Sequence, residues 1–568
     1  MNDSLLILII WYFFIPFSVI GFGLLAQKLI IKDFVDNNFG YAGIMGIFLL
    51  ILYSYASNFF VIHSKLHNTG ILVLGFFSYL YFFNLDRKNI YQQSLVILII
   101  LLILFVALLI YKNHDDFPYY HFPYTYYLTQ QDLAIGIGNF GHGFRTQSSI
   151  FYLNSLFYLP FVDYYLFNLG AILILCYCNA ILLHNIYANL SESKFKLNDN
   201  FIRIFSLFVF SFINIFFYRI AEHGTDRSAQ ILVLLLFIEI AYFLNLSTLK
   251  KNNLITIYLL VGLIISLKAF YFLYFLAFIP LIFHIKKNQN NILDVFNYLI
   301  FNKIFLLFSL LLSFVLITNF FNSGCFIYPI YFTCLESMPW SIPIQEVKQM
   351  NNWYELWSKA GANPNFRVSN PGEYIQSLNW INNWIDQYFF NKVSDFLSGI
   401  IVLILTISAF FFNLDKKIFH KGVDLKIIYF IILLLLAEWF YNHPALRYGG
   451  YALIALLFFI PISQHLSKKN INLDIFFKRS IIIVIITATV FVGRNVNRIN
   501  SEYKQYSYNP TKYSFYNIDS NHFRIDQRFK ETLNKNRLCK NKKDLDKCLG
   551  EIEKTYIKFG KTIYMKKK

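Results

Sequence analysis

Residues 254–284 read LITIYLLVGLIISLKAFYFLYFLAFIPLIFH, an apolar stretch in which Lys268 is the single charged residue. A transmembrane helix needs about 20 apolar residues. The stretch is therefore too long for one ordinary helix, and it forms either one tilted span or two short spans. Every later segment of the chain faces one side of the membrane or the other according to which of these is correct.

The positions of lysine and arginine decide between one span and two, because short cytoplasmic loops carry the positive excess. We predict two short helices, near 254–267 and 270–284, with both chain termini outside. A single span would instead move the later lysine-rich loops to the outer side. The lysine pairs that two helices place inside are Lys250 and Lys251, Lys286 and Lys287, Lys416 and Lys417, and Lys468 and Lys469.

The remaining chain has the composition of a membrane protein, since 57% of its 568 residues are hydrophobic and only 14% are charged. We predict an all-α integral membrane fold, a polytopic bundle of about fourteen transmembrane helices with two large outer loops. The candidate helices lie near 4–26, 40–62, 69–85, 94–111, 164–186, 201–219, 228–246, 254–267, 270–284, 304–320, 394–413, 426–441, 449–465 and 479–493.

The net charge of +18 does not indicate a nucleic-acid partner. A nucleic-acid binder collects its charge on one solvated face, whereas here the lysines lie in pairs between apolar segments. We therefore expect no nucleic acid and interpret the charge as a signal of membrane orientation. The expected location is the inner, cytoplasmic membrane, with membrane lipid as a constant partner.

This topology, chosen without reference to polar motifs, places the conspicuous polar segments together on the outer face. These segments are 112–163, 222–227, Lys268, 321–393 and 443–447. The basic tail 494–568 is also outside, which is compatible with its charge because long segments translocate largely regardless of charge. Disulfides persist outside the cytoplasm. The pairs Cys325–Cys334 in the second loop and Cys539–Cys548 in the tail are thus candidates to form them.

The second outer loop contains a helix-start pattern, Asn370-Pro371-Gly372-Glu373, followed by apolar residues at helical spacing. We predict an amphipathic helix that lies on the membrane. Five tryptophans in this loop are typical of a cap resting at the lipid interface: Trp340, Trp353, Trp357, Trp380 and Trp384.

The first outer loop carries the candidate catalytic residues. Asp115 and Asp116 follow a predicted membrane helix, so a carboxylate there can be partly desolvated, with a raised pKa and the ability to take a proton from a hydroxyl. A solvated acidic helix end is the alternative. His121 lies five residues beyond Asp116. Downstream, four glycines from Gly136 to Gly143 permit close backbone approach, either to a ligand near His142 and Arg145 or for the loop itself to fold back.

Asp116 with Tyr120-His121, followed by the segment ending HGFRTQSS at 142–149, resembles the first outer loop of a family of bacterial polytopic membrane proteins. That family is itself similar to the GT-C glycosyltransferases, which include protein mannosyltransferases and the aminoarabinose transferase of lipid A. The resemblance covers about 94–465. It implies an acidic residue acting from the first large outer loop and a polyprenyl-phosphate-linked sugar donor.

Other positions fit the same layout. EHGTDRSAQ at 222–230 stands where GT-C proteins often have an acid at the start of a membrane helix. Lys268 in its outer turn, and Arg447 in NHPALRYGG at 442–450, are suited to phosphate, although each singly is also explained as a snorkelling anchor. With Arg145 they favour an anionic ligand. The residues expected to bind sugar or acceptor are His142, Glu222, Asp226 and Tyr120.

The resulting functional prediction is a glycosyltransferase that moves a sugar from a polyprenyl-phosphate-linked donor to a lipid, glycan or protein acceptor. Asp116, with Asp115 and His121 beside it, acts as base or orients the acceptor. The alternatives are a surface-polysaccharide polymerase or ligase, and a transporter or flippase of lipid-linked sugars. We predict no cofactor, and for a divalent metal Asp116 is the most suitable ligand.

The predicted organisation has three parts. Residues 1–93 form extra N-terminal transmembrane helices, because the acidic loop follows the fourth helix rather than the first. Residues 94–493 form the GT-C-like core, and 494–568 form the extracytoplasmic tail.

Overall fold

The computed structural model describes residues 3–30, 38–187, 200–222, 224–246, 248–288, 291–411, 425–468, 473–512, 514–523, 527, 530–531, 534, 553–558 and 560–566. Helices make up 77% of it, in agreement with the predicted all-α class. Several residues used in the predictions above lie outside these ranges: Lys416, Lys417, Lys469, Cys539 and Cys548.

The α-helices are, in chain order, α1 (Asp3–Ile30), α2 (Phe39–Asn58), α3 (Lys65–Leu85), α4 (Arg87–Leu108), α5 (Phe122–Gln130), α6 (Ser149–Ser155), α7 (Leu169–Tyr187), α8 (Asn200–Phe216), α9 (Asp226–Asn245), α10 (Ile255–Leu267), α11 (Phe278–Asn288), α12 (Ile292–Ile300), α13 (Lys303–Ser323), α14 (Ile344–Ser358), α15 (Pro371–Ile375), α16 (Ile381–Trp384), α17 (Ser394–Phe410), α18 (Lys426–Asn442), α19 (Gly450–Ser467) and α20 (Leu473–Tyr506). Two antiparallel hairpins complete the chain, β1 (Ala362–Asn363) with β2 (Phe366–Arg367), and β3 (Glu553–Lys558) with β4 (Lys561–Lys566).

Within the described residues, 11 helical stretches are long and apolar enough to cross a membrane. They are α1, α2, α3, α4, α7, α9, Ala269–Lys287, α13, Ile381–Phe410, α19 and α20. Two shorter apolar helices are Asn200–Phe216 and Lys251–Leu267. The chain is thus a multi-pass membrane protein, and α7, which packs on α2, α4, α8 and α9, lies near the centre of its bundle.

Helical structure is interrupted at Lys268, where we predicted the turn between two short helices. Lys268 itself has an extended backbone, with φ −164° and ψ 143°. The second helix differs from the prediction in type, because Ala269–Ala277 is a 3-10 helix that leads into α11. Runs of 3-10 helix longer than three or four residues are uncommon, so this nine-residue run is a distinctive feature of the fold.

The predicted amphipathic helix beginning at Pro371 is wrong in its extent. It ends at Ile375, the chain turns through Ser377 at a φ of 50°, and helix resumes at Ile381 and continues through a π-helix, Ile385–Val393, into α17. This resumed helix joins a membrane span instead of lying on the surface.

Two of the five tryptophans assigned to the lipid interface are in fact buried. Trp380 and Trp384 are 0% and 4% exposed, because both pack against Phe440 of α18. In the same loop, Cys325 and Cys334 are joined by a disulfide.

The last helix and the tail return to the first large loop, 112–163. Helix α20 extends well past the predicted end at 493, and beyond it the Asn517 backbone N–H donates to the Tyr111 carbonyl at 2.8 Å. Strand β4 pairs with Ile135, and the Tyr564 N–H donates to the Ile135 carbonyl at 2.8 Å. The tail and the first loop therefore lie at the same end of the bundle.

Candidate functional site

Asp116 and Arg447 form an ion pair across segments far apart in the sequence. Arg447 Nη1 donates to Asp116 Oδ2 at 3.1 Å, and Arg447 Nη2 donates to the Tyr448 hydroxyl at 2.8 Å. The Asp116 side chain is 28% exposed and that of Arg447 37%. Asp116 follows α4 and precedes the π-helix Phe117–His121, so the loop after α4 and the α18–α19 junction meet here.

Asp226 and Lys268 form a second, more buried ion pair beside the first. Asp226 is the first residue of α9, and Lys268 is the extended residue between α10 and the 3-10 helix. The Lys268 ammonium also lies 5.0 Å from the centroid of the Tyr448 ring. Tyr448 thus contacts the cations of both pairs. We refer to Asp116, Arg447, Asp226 and Lys268 as the Asp116 cluster.

Aromatic rings form one wall of this cluster. Phe270 stacks on Tyr448 with centroids 4.6 Å apart, and it contacts His443 at 4.5 Å and Tyr354 at 6.0 Å. Tyr354 comes from α14 in the second large loop. Rings of this kind present apolar faces against which a sugar ring or a lipid chain can pack.

The Arg447 segment is held by buried hydrogen bonds. Gln230, one turn after Asp226 on α9, donates from Nε2 to the Arg447 carbonyl at 3.0 Å and accepts from the Ala452 N–H at 3.2 Å. Three aromatic side chains form hydrogen bonds to the same segment. The indole N–H groups of Trp384 and Trp439 donate to the carbonyls of Pro444 and Ala445, and the Tyr388 hydroxyl accepts from the Leu446 N–H. The positions of Asp226 and Arg447 are therefore coupled through the fold.

The pKa of Asp116 is lowered, which corrects the expectation of a raised value. Burial by itself raises the pKa, but the charges of Arg447 and Lys268, together with the neighbouring imidazoles of His114 and His121, outweigh it and stabilise the carboxylate. Asp116 is thus ionised at neutral pH. It is also a weaker base than the sequence implied.

Two histidines beside Asp116 are neutral at physiological pH. Burial, with a contribution from Lys268, lowers the pKa of His121 to about 4. Burial, with a contribution from Arg145, lowers the pKa of His142 to about 4. The His121 side chain is 7% exposed, and its Nε2 has no hydrogen-bond partner among the described residues.

The two large loops, 112–163 and 321–393, contact each other over the cluster. His142 Nε2 lies 2.9 Å from the Tyr354 hydroxyl, and Arg145 Nη2 donates to Glu346 Oε2 at 3.2 Å. Arg145 is thus paired with a carboxylate of the second loop rather than with Asp116. Tyr120 lies within electrostatic range of both Asp116 and Arg447.

The glycine-rich run serves the packing of the loop. Gly136 has a φ of 78°, and a Cβ there would lie 2.1 Å from the Tyr564 carbonyl oxygen. A Cβ on Gly138 would lie 2.5 Å from the Asn322 carbonyl oxygen. Both glycines therefore admit other parts of the protein backbone. These close approaches are to strand β4 and to α13, so both glycines are packing positions.

Glu222 lies in a separate group of charges. Its side chain is 1% exposed, and it pairs with Arg219 at 2.6 Å and Arg498 at 2.5 Å. Arg498 also pairs with Glu502 at 3.1 Å. We call Arg219, Glu222, Arg498 and Glu502 the Glu222 cluster.

Asp115, the other candidate acid, is exposed and forms no ion pair within the described ranges. In those ranges there is also no group of three or more His, Cys, Asp or Glu side chains arranged to hold a metal ion.

Several residues beside the cluster were missed. Arg227 stacks on the rings of Phe217 and Tyr451 at 4.6 and 4.3 Å, and among the described residues it forms no ion pair. Tyr271 and Tyr274 are buried behind Lys268. The spacing of three between Lys268, Tyr271 and Tyr274 was visible, but it carries meaning only once the 3-10 geometry is known.

The sequence model of a family described as a domain of unknown function (DUF8201) matches residues 5–454, so the chain belongs to this family. The match begins within α1 and therefore includes the helices before residue 94. No curated protein and no solved structure matches the chain.

Proposed function

We propose that this member of the DUF8201 family is an integral membrane glycosyltransferase. It moves a sugar from a polyprenyl-phosphate-linked donor to an acceptor on the outer face of the cytoplasmic membrane. The main support is the Asp116 cluster, in which two acids and two cations from four distant segments meet at one end of a membrane bundle. Charged residues at a membrane boundary are costly to desolvate, and their convergence indicates a site.

The reaction is a single displacement at the anomeric carbon. The acceptor oxygen forms a bond to that carbon, the bond from the carbon to the phosphate oxygen breaks, and the phosphate leaves with the electron pair. Arg447 and Lys268 stabilise the charge that develops on the phosphate. The acceptor proton passes to Asp116, and the sugar is transferred with inversion.

The lowered pKa of Asp116 defines its part in this step. A weakly basic carboxylate holds the acceptor hydroxyl by a charge-assisted hydrogen bond and takes the proton late, as the oxygen becomes acidic. The contact between Asp116 and Arg447 couples phosphate binding to proton transfer. When a phosphate binds Arg447, the ion pair weakens and Asp116 becomes more basic.

A transporter of lipid-linked sugars is supported less well. Such a protein places ionisable groups near mid-membrane, whereas Asp116, Asp226, Lys268 and Arg447 all lie at helix ends or in loops. A polymerase or ligase with arginine-rich outer loops is also less well supported, because Arg367 is the single arginine of the second loop, 321–393.

The decisive experiment replaces Asp116 with Asn in a deletion strain complemented by the full chain. Removing a group that takes up the acceptor proton lowers the transfer rate by about 10² to 10⁴-fold. We expect the glycosylated product to fall accordingly and the lipid-linked donor to accumulate, both measured by mass spectrometry of lipid and envelope extracts.

Asp163→Asn is the matched control, since Asp163 is a carboxylate of the same loop that also pairs with a cationic side chain, in this case Lys65. Its side chain is 42% exposed and the pair lies outside the Asp116 cluster. Equal amounts of each protein in the membrane are required. Unchanged product with Asp116→Asn, or equal losses with both variants, contradicts the proposed function.

A further inference from the structure

The 3-10 helix after Lys268 aligns two tyrosines along one side. With three residues per turn, positions i and i+3 of a 3-10 helix eclipse one another. Tyr271 and Tyr274 occupy this spacing, and the Tyr271 N–H donates to the carbonyl of the extended residue Lys268 at 3.1 Å. At a rise of about 2 Å per residue, the two tyrosines lie roughly 6 Å apart along the helix.

Both tyrosine hydroxyls are buried and lack a hydrogen-bond partner among the described residues. Tyr271 is 1% exposed and Tyr274 is 4% exposed. Their rings lie 5.6 Å apart, and both face Gly449, whose added Cβ would lie 3.7 Å from Tyr271 Cε1 and 3.8 Å from the Tyr274 hydroxyl. A buried hydroxyl without a partner is costly, so a pair of them along one line indicates a ligand that supplies acceptors.

A positive charge near Tyr271 comes from Arg227, whereas the charged neighbour of Tyr274 is Glu438. Its guanidinium lies between two aromatic rings, and its Nη1 is buried without a hydrogen-bond partner in the described part of the chain. It lies within electrostatic range of Tyr271. In contrast to Lys268 and Arg447, Arg227 has no carboxylate partner there, so its positive charge is uncompensated by an ion pair.

We propose that Arg227, Tyr271 and Tyr274 form a binding site for the phosphate of a membrane lipid, which enters along the 3-10 helix towards Lys268. The side of this helix away from the tyrosines carries Leu273, 43% exposed, and the partly exposed Phe272 and Phe275, against which a lipid chain packs. The inference rests on the proposed function only for the lipid's identity, a polyprenyl phosphate.

Charge balance explains why such a site is needed. In the Asp116 cluster two cations face two carboxylates, so a phosphate brought there alone meets no net positive charge. Arg227 adds one positive charge and the two hydroxyls add neutral donors. The phosphate is therefore held before it displaces Asp226 from Lys268.

The test measures lipid binding to the purified full-length protein in nanodiscs, with undecaprenyl phosphate as the probe. Phosphatidylglycerol tests an ordinary phospholipid as the source of phosphate, and undecaprenol tests the chain alone. Losing a hydrogen bond to a charged group weakens binding by about 10-fold or more. We expect this weaker binding of undecaprenyl phosphate for Tyr271→Phe, Tyr274→Phe and Arg227→Gln. Binding of undecaprenol should not change.

Tyr258→Phe is the control for removal of a buried hydroxyl. Tyr258 is 3% exposed, but its hydroxyl donates to the Leu299 carbonyl at 3.0 Å. We expect Tyr258→Phe to lower the melting temperature of lipid-free protein and leave binding unchanged. Tyr271→Phe and Tyr274→Phe should keep or raise the melting temperature, because no protein hydrogen bond is lost.

The outcomes separate this site from the proposed function. Weaker binding of both phosphate lipids supports the site and assigns it to phospholipid, whereas weaker binding of undecaprenyl phosphate alone supports the polyprenyl carrier. Unchanged binding of both, or melting losses like those of Tyr258→Phe, overturns the site. Because no transfer is measured, a site that binds remains supported even if Asp116→Asn leaves the glycosylated product intact.

Discussion

The Asp116 cluster and the Glu222 cluster lie near each other in the chain, with Glu222 and Asp226 four residues apart, yet they differ in how fully their charges are paired. In the Glu222 cluster, Glu222 has two arginine partners, and Arg498 also donates to the Lys112 carbonyl at 2.9 Å. Glu502 accepts from the Tyr111 N–H at 2.9 Å. In the Asp116 cluster each cation has one carboxylate, and unpaired polar atoms surround it.

This difference fits a structural tie in one case and the proposed site in the other. The Glu222 cluster joins α20 to the segment before Asp116 and to the turn before α9, and each of its two acids has an arginine partner. The Asp116 cluster is partly exposed, and buried polar atoms without a hydrogen-bond partner among the described residues, such as His121 Nε2, lie beside it. Satisfied buried networks rigidify a fold.

The largest expected effect is on the Glu222 cluster. Arg498, 11% exposed, contacts both acids and a backbone carbonyl, so Arg498→Met leaves the buried Glu502 without its arginine and Glu222 with Arg219 alone. We expect a loss of about 3 to 5 kcal/mol in the free energy of unfolding, measured by SDS titration of the purified protein.

Arg494→Met is the matched control for that substitution. Arg494 lies one turn earlier on α20, is exposed, and stacks on Tyr218 at 3.8 Å. We expect a loss of about 1 kcal/mol or less from this variant. Equal losses for the two arginines would show that the Glu222 cluster is no stronger a tie than a surface contact.

The next largest effect is the pH dependence of the free energy of unfolding that originates at His121. Burial lowers its pKa to about 4 in the folded protein, while the unfolded chain has the ordinary value of about 6.5. Between these values the unfolded state binds a proton that the folded state does not, so stability falls as the pH drops below about 6.5.

For His121 this loss amounts to about 2 kcal/mol by pH 5. We expect His121→Gln to flatten the dependence by that amount in unfolding titrations at pH 7 and pH 5. If the free energy of unfolding changed equally with pH in the variant and the wild type, His121 would titrate normally in the folded state.

The smallest expected change is the effect of Asp116→Asn on stability. Its ion pair with Arg447 has side chains 28% and 37% exposed, and pairs of this kind contribute about 1 kcal/mol or less. We therefore expect a variant that loses product but unfolds almost as the wild type does. A loss as large as that of Arg498→Met would show that the two clusters are both structural.

Several features followed from sequence patterns alone. Apolar segments of membrane-spanning length predicted a multi-pass all-α protein, and the lysine at 268 predicted the break between two helices. The polar segments assigned to one face do meet, since Asp116 contacts Arg447 and Asp226 contacts Lys268. These features succeed because hydrophobic length and charge placement act locally and are independent of partners.

Other features could not be read from the sequence. The 3-10 geometry after Lys268 and the break in the helix after Ile375 depend on packing against distant segments, which overrides local preference. The pKa of Asp116 was expected to rise on burial, and it falls because Arg447, over three hundred residues away, lies beside it. Glu222 was grouped with the site by its position next to Asp226, yet its partners come from α20.

The sequence by itself determined that the chain crosses a membrane many times. This follows from the cost of placing backbone polar groups in lipid. Only the tertiary structure decided which charges pair. Two neighbouring acids, Glu222 and Asp226, acquired different surroundings because two arginines, Arg219 and Arg498, meet the first and Lys268 meets the second. Pairing is set by contacts between distant helices, and sequence spacing does not record them.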